Sequence, residues 1–158
     1  MARIVLTCGA EVLVDDADIP LVGQYKWHLS HNGYVVRRVR IDGRKPIIYL
    51  HRAIMSADWA GDIDHINGDR LDNRRQNLRY ATRSENNMNA RARKGTASRH
   101  KGVTWHKQDR LWWAYIKHEG KQRSLGMHKT EADAARAYNA AAKRLFGDFA
   151  RLNHIEEN

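Results

Sequence analysis

Asp64 and His65 stand side by side in the run Ile63-Asp64-His65-Ile66-Asn67-Gly68-Asp69, and amides return at Asn73, Asn77, Asn86, Asn87 and Asn89. A carboxylate beside an imidazole, with amides about twenty residues later, is a set for holding one divalent cation next to one general base. Phosphodiester hydrolysis asks for that combination. It needs a nucleophilic water, stabilisation of phosphate charge and help for the leaving oxygen. A neutral imidazole near pH 7 takes the proton from water. A hard cation bound by carboxylate and amide oxygens meets the other two needs. Neighbours on a strand point to opposite faces unless the strand ends there, and the Asn67-Gly68 turn supports such an ending.

The composition bounds the partner. Twenty-eight Lys and Arg against 18 Asp and Glu give the 158-residue chain a formal charge of +10, which points to a polyanion. Cys8 is the only cysteine, excluding a disulfide framework and a cysteine-based zinc site. No apolar run reaches transmembrane length, and Met1 to Leu6 is too short for a signal peptide. The expectation is an intracellular, cytoplasmic protein with no membrane and no obligate protein partner.

Around the central run, Ile4-Val5-Leu6, Val12-Leu13-Val14, Tyr34-Val35-Val36 and Pro46 to Leu50 read as short strands, with His51 to Ala57 as a short helix. Leu78 to Ala81 reads as a strand and Ser84 as the N-cap of a helix. Asp72 and Asn73 read as loop formers, and Arg70, Arg74, Arg75 and Arg79 as phosphate contacts. Residues 90–100 have no large apolar side chain and read as a basic linker. Beyond it, three strand segments (102–105, 112–117, 122–125) lead into a helix capped by Thr130 and stopped at Gly147, with Ala134, Tyr138, Ala141 and Leu145 on one stripe. The expected class is α+β, with domains at 1–89 and 101–158 joined by residues 90–100.

The run Tyr49 to Met55, then Asp64 to Asp69, Asp72-Asn73, Asn77-Leu78-Arg79 and Ser84 to Asn89, resembles the HNH endonucleases of phages and mobile introns over about residues 4–90. The resemblance implies a ββα-metal nuclease core with one Mg²⁺ or Mn²⁺. On it, His65 would be the general base, Asp64 and Asn86 metal ligands, Asn77 the residue pinning the loop, and His51 structural. Because each helical step turns a side chain by about 100°, spacing alone leaves Asn87 and Asn89 open beside Asn86.

Lys101 to Trp105, Trp112 to Ile116, Leu125-Gly126, Thr130 to Ala141 and Gly147 to Asn153 resemble the ethylene-response-factor (Apetala-type) DNA-binding domain over residues 99–153. This implies a three-stranded antiparallel sheet packed on one helix, its open face laid in the major groove of double-stranded DNA. By position, Lys101, Thr104, His106, Trp113, Tyr115, Lys117, Gln122 and Ser124 would face DNA. The family usually has arginines at the places of Thr104 and His106, a departure that bears on base specificity. Arg91, Arg93, Lys94 and Arg99 would follow phosphates along the linker, which extended spans about 30 Å. The resemblances imply a homing-type, metal-dependent DNA endonuclease that nicks one strand, bacterial or phage-encoded and held at the nucleoid through DNA; the alternative is a catalytically inactive DNA-binding or regulatory protein.

Overall fold

β1 (Ala2–Val5) and β2 (Glu11–Val14) pair antiparallel, and alternation along β2 buries Val12 and Val14 completely. The structure, a computed structural model, describes residues 1–56, 58, 60–92 and 95–156. It divides into two units, Met1–Asn86 and Asn87–Asn158. In the first, a 3-10 turn at Asp16–Asp18 leads into α1 (Ile19–Val22). β3 (His28–Leu29), β4 (Val35–Arg38) and β5 (Ile47–Tyr49) then form an antiparallel sheet in that order. α2 (Leu50–Ile54) follows at once; Leu50 and Ile54, four apart, share one face and are fully buried.

These side chains join Val22, Trp27, Val35, Ile63 and Leu78 in one core. Trp27 is buried because its indole N–H finds the Val22 carbonyl at 2.9 Å. β6 (Asp62–His65) and β7 (Leu78–Ala81) pair antiparallel, and α3 (Arg83–Asn89) follows. The loop between the two strands is stitched to β2, with Leu13 N–H donating to Leu71 O and Asn73 N–H to Leu13 O, each at 2.8 Å.

The helix expected to be capped by Ser84 is capped two residues earlier, by Thr82. Thr82 Oγ1 accepts from Glu85 N–H at 3.2 Å and Glu85 Oε2 accepts from Thr82 N–H at 2.7 Å. This reciprocal Thr-x-x-Glu box satisfies two otherwise orphaned donors, which a lone Ser84 does not. The expected helix over 51–57 starts at Leu50; Ala57 lies outside the described residues.

The second unit holds β8 (Val103–His106), β9 (Leu111–His118) and β10 (Lys121–His128) in the order β10-β9-β8, all antiparallel, and α4 (Glu131–Phe146). Thr130 caps α4 by accepting from Asp133 N–H at 3.1 Å. Ala134, Ala135, Tyr138, Ala141 and Ala142 are buried on the helix, packing on Val103, Ala114 and Ile116 of the sheet. β10 runs to His128 past an irregularity between Ser124 and Met127, longer than the run 122–125. Residues 95–100, read as linker, are tied into this unit. Ser98 Oγ donates to Glu131 Oε1 at 2.6 Å, and Ser98 and His100 are buried. Asn153 closes the unit by exchanging bonds with the Lys101 backbone and with the Asn139 side chain. No helix among the described residues is long and apolar enough to cross a membrane.

Candidate active site

The pairing His65↔Leu78, Asp64↔Arg79, Ile63↔Tyr80 and Asp62↔Ala81 sorts the side chains of the β6–β7 hairpin into two sets. Ile63, His65, Leu78 and Tyr80 share one face, and Ile63 and Leu78 pack in the core. Asp62, Asp64 and Arg79 share the other, from which Asp62 meets α3. His65 is the last residue of β6, and the chain turns at once, with Gly68 N–H donating to His65 O at 2.8 Å.

His65 is 5% exposed, and its Nε2 lies 3.3 Å from Asn73 Oδ1. The orientation of that amide is settled at its other end, where Asn73 Nδ2 donates to Arg70 O at 3.0 Å. A carbonyl oxygen only accepts, so it selects the tautomer with the proton on Nε2 and makes Nδ1 the basic nitrogen. Burial holds the His65 pKa below its ordinary value, against the opposing pull of Asn73 and Asp64. His51 packs edge-on to His65 at 5.2 Å between ring centres, with Tyr34 5.4 Å and Tyr49 5.5 Å from His51. Burial, with the His65 ring adding to it, pushes His51 down to about 3, so this second imidazole stays neutral.

Asp64 is buried, and its Oδ2 accepts from Arg79 Nε at 2.9 Å and Nη2 at 2.8 Å. Asn86 Nδ2 donates to Asp62 Oδ2 at 2.7 Å, leaving Oδ1 as the atom this amide can offer a cation. The same carboxylate receives Arg83 Nη1 at 3.3 Å; the Asn86 bond first, then Arg83, holds the Asp62 pKa below the usual carboxylate range. The donor chemistry, carboxylate and amide oxygen, suits Mg²⁺ or Mn²⁺, which completes its shell with water and substrate oxygens. Among the described residues no three or more His, Cys, Asp or Glu side chains converge as a metal cage.

The loop after His65 is held by Asn77, which is 7% exposed. Its Oδ1 accepts from Asn67 N–H at 3.0 Å, and its Nδ2 donates to Asn67 Oδ1 at 3.0 Å and Asp72 O at 2.7 Å. Three of the arginines read as phosphate contacts are engaged within the fold. Arg74 grips Asp72, Arg75 grips Asp18 and Arg79 grips Asp64. Each of these carboxylates is at most 6% exposed, and a buried charge requires such a partner. Arg70 stacks over Tyr34 at 4.3 Å.

Residues 58–88, from before β6 to the last turn of α3, match the HNH endonuclease family. An uncharacterized HNH endonuclease of Acanthamoeba polyphaga mimivirus is 36% identical over 143 residues, covering 87% of this chain and 71% of that protein. The chain belongs to the HNH endonuclease family. It is a nuclease, and its family acts on DNA. Protein 3.8 of Escherichia phage T7 is 35% identical over 90 residues, 57% of this chain and 74% of that one. No solved structure matches. The mimivirus alignment is longer than the 86 residues of the first unit, so the likeness reaches into the second.

In this HNH endonuclease the second unit gathers most of the residues expected to face DNA. The registers Thr104↔Trp113, Ser124↔Tyr115 and Gln122↔Lys117 put Thr104, His106, Trp113, Tyr115, Lys117, Gln122 and Ser124 on the sheet face away from α4. Trp113 and Tyr115 lie 5.1 Å apart, and Trp113 Nε1 donates to Ser124 Oγ at 2.9 Å. Lys101 is placed otherwise. Its Nζ donates to the backbone carbonyls of Asn87, at 3.1 Å, and Met88, and burial lowers its pKa to about 8. Arg99 reaches Glu156 at 3.4 Å, and Arg91 is exposed. Arg93 and Lys94 lie outside the described residues.

Two residues escaped the sequence reading. Asp62 orients Asn86, and its place two residues before Asp64, hence on the same strand face, was a usable signal. Asn73 orients His65, and nothing local distinguishes it from a loop asparagine.

Proposed function

We propose that this HNH endonuclease hydrolyses phosphodiester bonds in double-stranded DNA with one divalent metal, nicking one strand per encounter. β6, β7 and α3 would form its ββα-metal core. The observation that supports this best is His65, buried and held below its ordinary pKa, with the Asn73 Oδ1 acceptor at Nε2 favouring a proton there. Asp64 and Asn86 would hold Mg²⁺ or Mn²⁺, which when bound offsets charge on the phosphate and the leaving oxygen. His65 Nδ1 takes the proton from the attacking water. Asn77 fixes the loop that carries Asn73, and the neutral His51 adds no positive charge beside the base. One such site per chain favours a nick.

The second unit supports the likeness to the ethylene-response-factor domain. An exposed sheet face bearing Trp113, Tyr115 and Lys117 suits the major groove and would choose the site, in the manner of a homing enzyme. One observation favours the alternative, an inactive DNA-binding protein: Arg79 Nε and Nη2 each donate to Asp64 Oδ2. Conversion of supercoiled plasmid to open circles with Mg²⁺ or Mn²⁺ decides between them. Nicking is expected from the wild type, with a loss of at least about 10²-fold in His65→Ala. A wild type that binds without nicking supports the alternative.

A further inference from the structure

We infer that the β4–β5 hairpin of the nuclease unit is itself a DNA-backbone contact, separate from the sheet face of the second unit. The inference rests on the DNA substrate proposed above and not on the catalytic assignment. Between Arg37 and Lys45 the hairpin carries five cations, Arg37, Arg38, Arg40, Arg44 and Lys45, and one acid, Asp42.

Its geometry makes it a ribbon. The register runs unchanged from Arg38↔Ile47 to the bridge Ile41↔Arg44, closed by Arg44 N–H to Ile41 O at 2.9 Å and Val39 N–H to Pro46 O at 3.2 Å. Asp42 and Gly43, with φ of 49° and 76°, form the two-residue turn at its tip, a conformation that favours Asp-Gly. The root is fixed, since the Arg37 guanidinium lies 3.6 Å from the Tyr25 ring centre and Val35 and Val36 are buried.

The same register places Arg40 opposite Lys45 with Arg38 beside them on one face, all three exposed. Among the described residues no ion pair engages Arg38, Arg40, Arg44 or Lys45. Arg74, Arg75 and Arg79 in the same unit are all paired. Like charges directly across a strand pair destabilise it, and a polyanion relieves that repulsion. A two-stranded ribbon with a cationic face fits the duplex, whose grooves admit such ribbons and whose phosphates release counterions on contact.

The test is equilibrium binding of the full chain to a short labelled DNA duplex across a salt series, with EDTA present so that cleavage cannot intervene. Wild type is compared with Arg38→Gln/Arg40→Gln/Lys45→Gln and with a control, Lys129→Gln/Lys143→Gln/Arg144→Gln, on and before α4. The hairpin variant is expected to lose about 2–3 from the slope of log K on log salt and at least about tenfold in affinity near 0.1 M salt. Its Tm should not fall, because a repulsion has been removed. A slope equal to wild type, or an equal loss in the control, overturns the inference. A loss seen only with single-stranded RNA in place of the duplex overturns it in favour of another partner. Plasmid nicking run in parallel separates the two readings. Hairpin-dependent binding without nicking defeats the catalytic proposal alone, and nicking with an unchanged slope defeats the hairpin alone.

Discussion

Replacing Asn73 probes the assignment of Nδ1 as the basic atom. Asn73 is 1% exposed, and its side chain makes the 3.3 Å contact to His65 Nε2 and the 3.0 Å bond to Arg70 O. Asn73→Ala leaves a ring N–H and a carbonyl without these partners. At about 1–3 kcal/mol for each of the two groups left unsatisfied, the fold should lose roughly 2–6 kcal/mol. The backbone bond from Asn73 N–H to Leu13 O remains, so the loop keeps its path. Losing about 1 kcal/mol of tautomer preference alone slows cleavage about fivefold, and loss of ring orientation extends this to about 10²-fold. Asn73→Asp separates the functional effect from the structural one. A carboxylate at Nε2 favours the imidazolium, so the pH at which the base becomes neutral rises, and the acid limb of the rate profile moves up by roughly one to three pH units. Single-turnover nicking between pH 5 and 9, below the unfolding temperature of each variant, reads both effects. Nicking by Asn73→Ala within twofold of wild type, or an unmoved acid limb in Asn73→Asp, would refute the assignment.

Further outcomes follow from burial and from close approach. His51, with a pKa of about 3 when folded against 6.5 unfolded, binds its proton in the unfolded state first. Stability is therefore full above pH 6.5 and falls as the pH drops toward 3, by about 1.4 kcal/mol per pH unit. The groups acting on it are His65 and Arg52, which lower its pKa, and Asp62, which raises it. Denaturant unfolding at pH 7, 6 and 5 should show a shallower dependence in His51→Leu, the remainder coming from His65; identical slopes would refute this. Gly102 has φ of 73°, and a Cβ there would lie 2.1 Å from Tyr138 Cδ2 and 2.4 Å from Tyr115 O. Gly102→Ala should destabilise the second unit by about 2–5 kcal/mol, since the carbonyl belongs to the middle strand and cannot swing away. A change below about 1 kcal/mol in chemical denaturation would contradict that contact.

The elements legible from the sequence were those whose signals are local. Alternation exposed the rows of β9, the Thr130 cap and Gly147 bounded α4, and the turn after His65 ended β6, because strand pleat, helix period and capping act over a few residues. The pairing of Asp64 with His65 and the spaced amides pointed to a nuclease before any fold was drawn. The atoms that do the work were decided elsewhere. Arg75 meets Asp18 across 57 positions and Asn86 meets Asp62 across 24. Whether an arginine grips a buried carboxylate or faces solvent depends on which segments the core brings together, and residue type says nothing of that. The same holds for Lys101, drawn to backbone carbonyls, and for Asn73, a loop asparagine in sequence that the folded loop sets against an imidazole. Chain closure, driven by burial of apolar surface far from these polar groups, chose their partners.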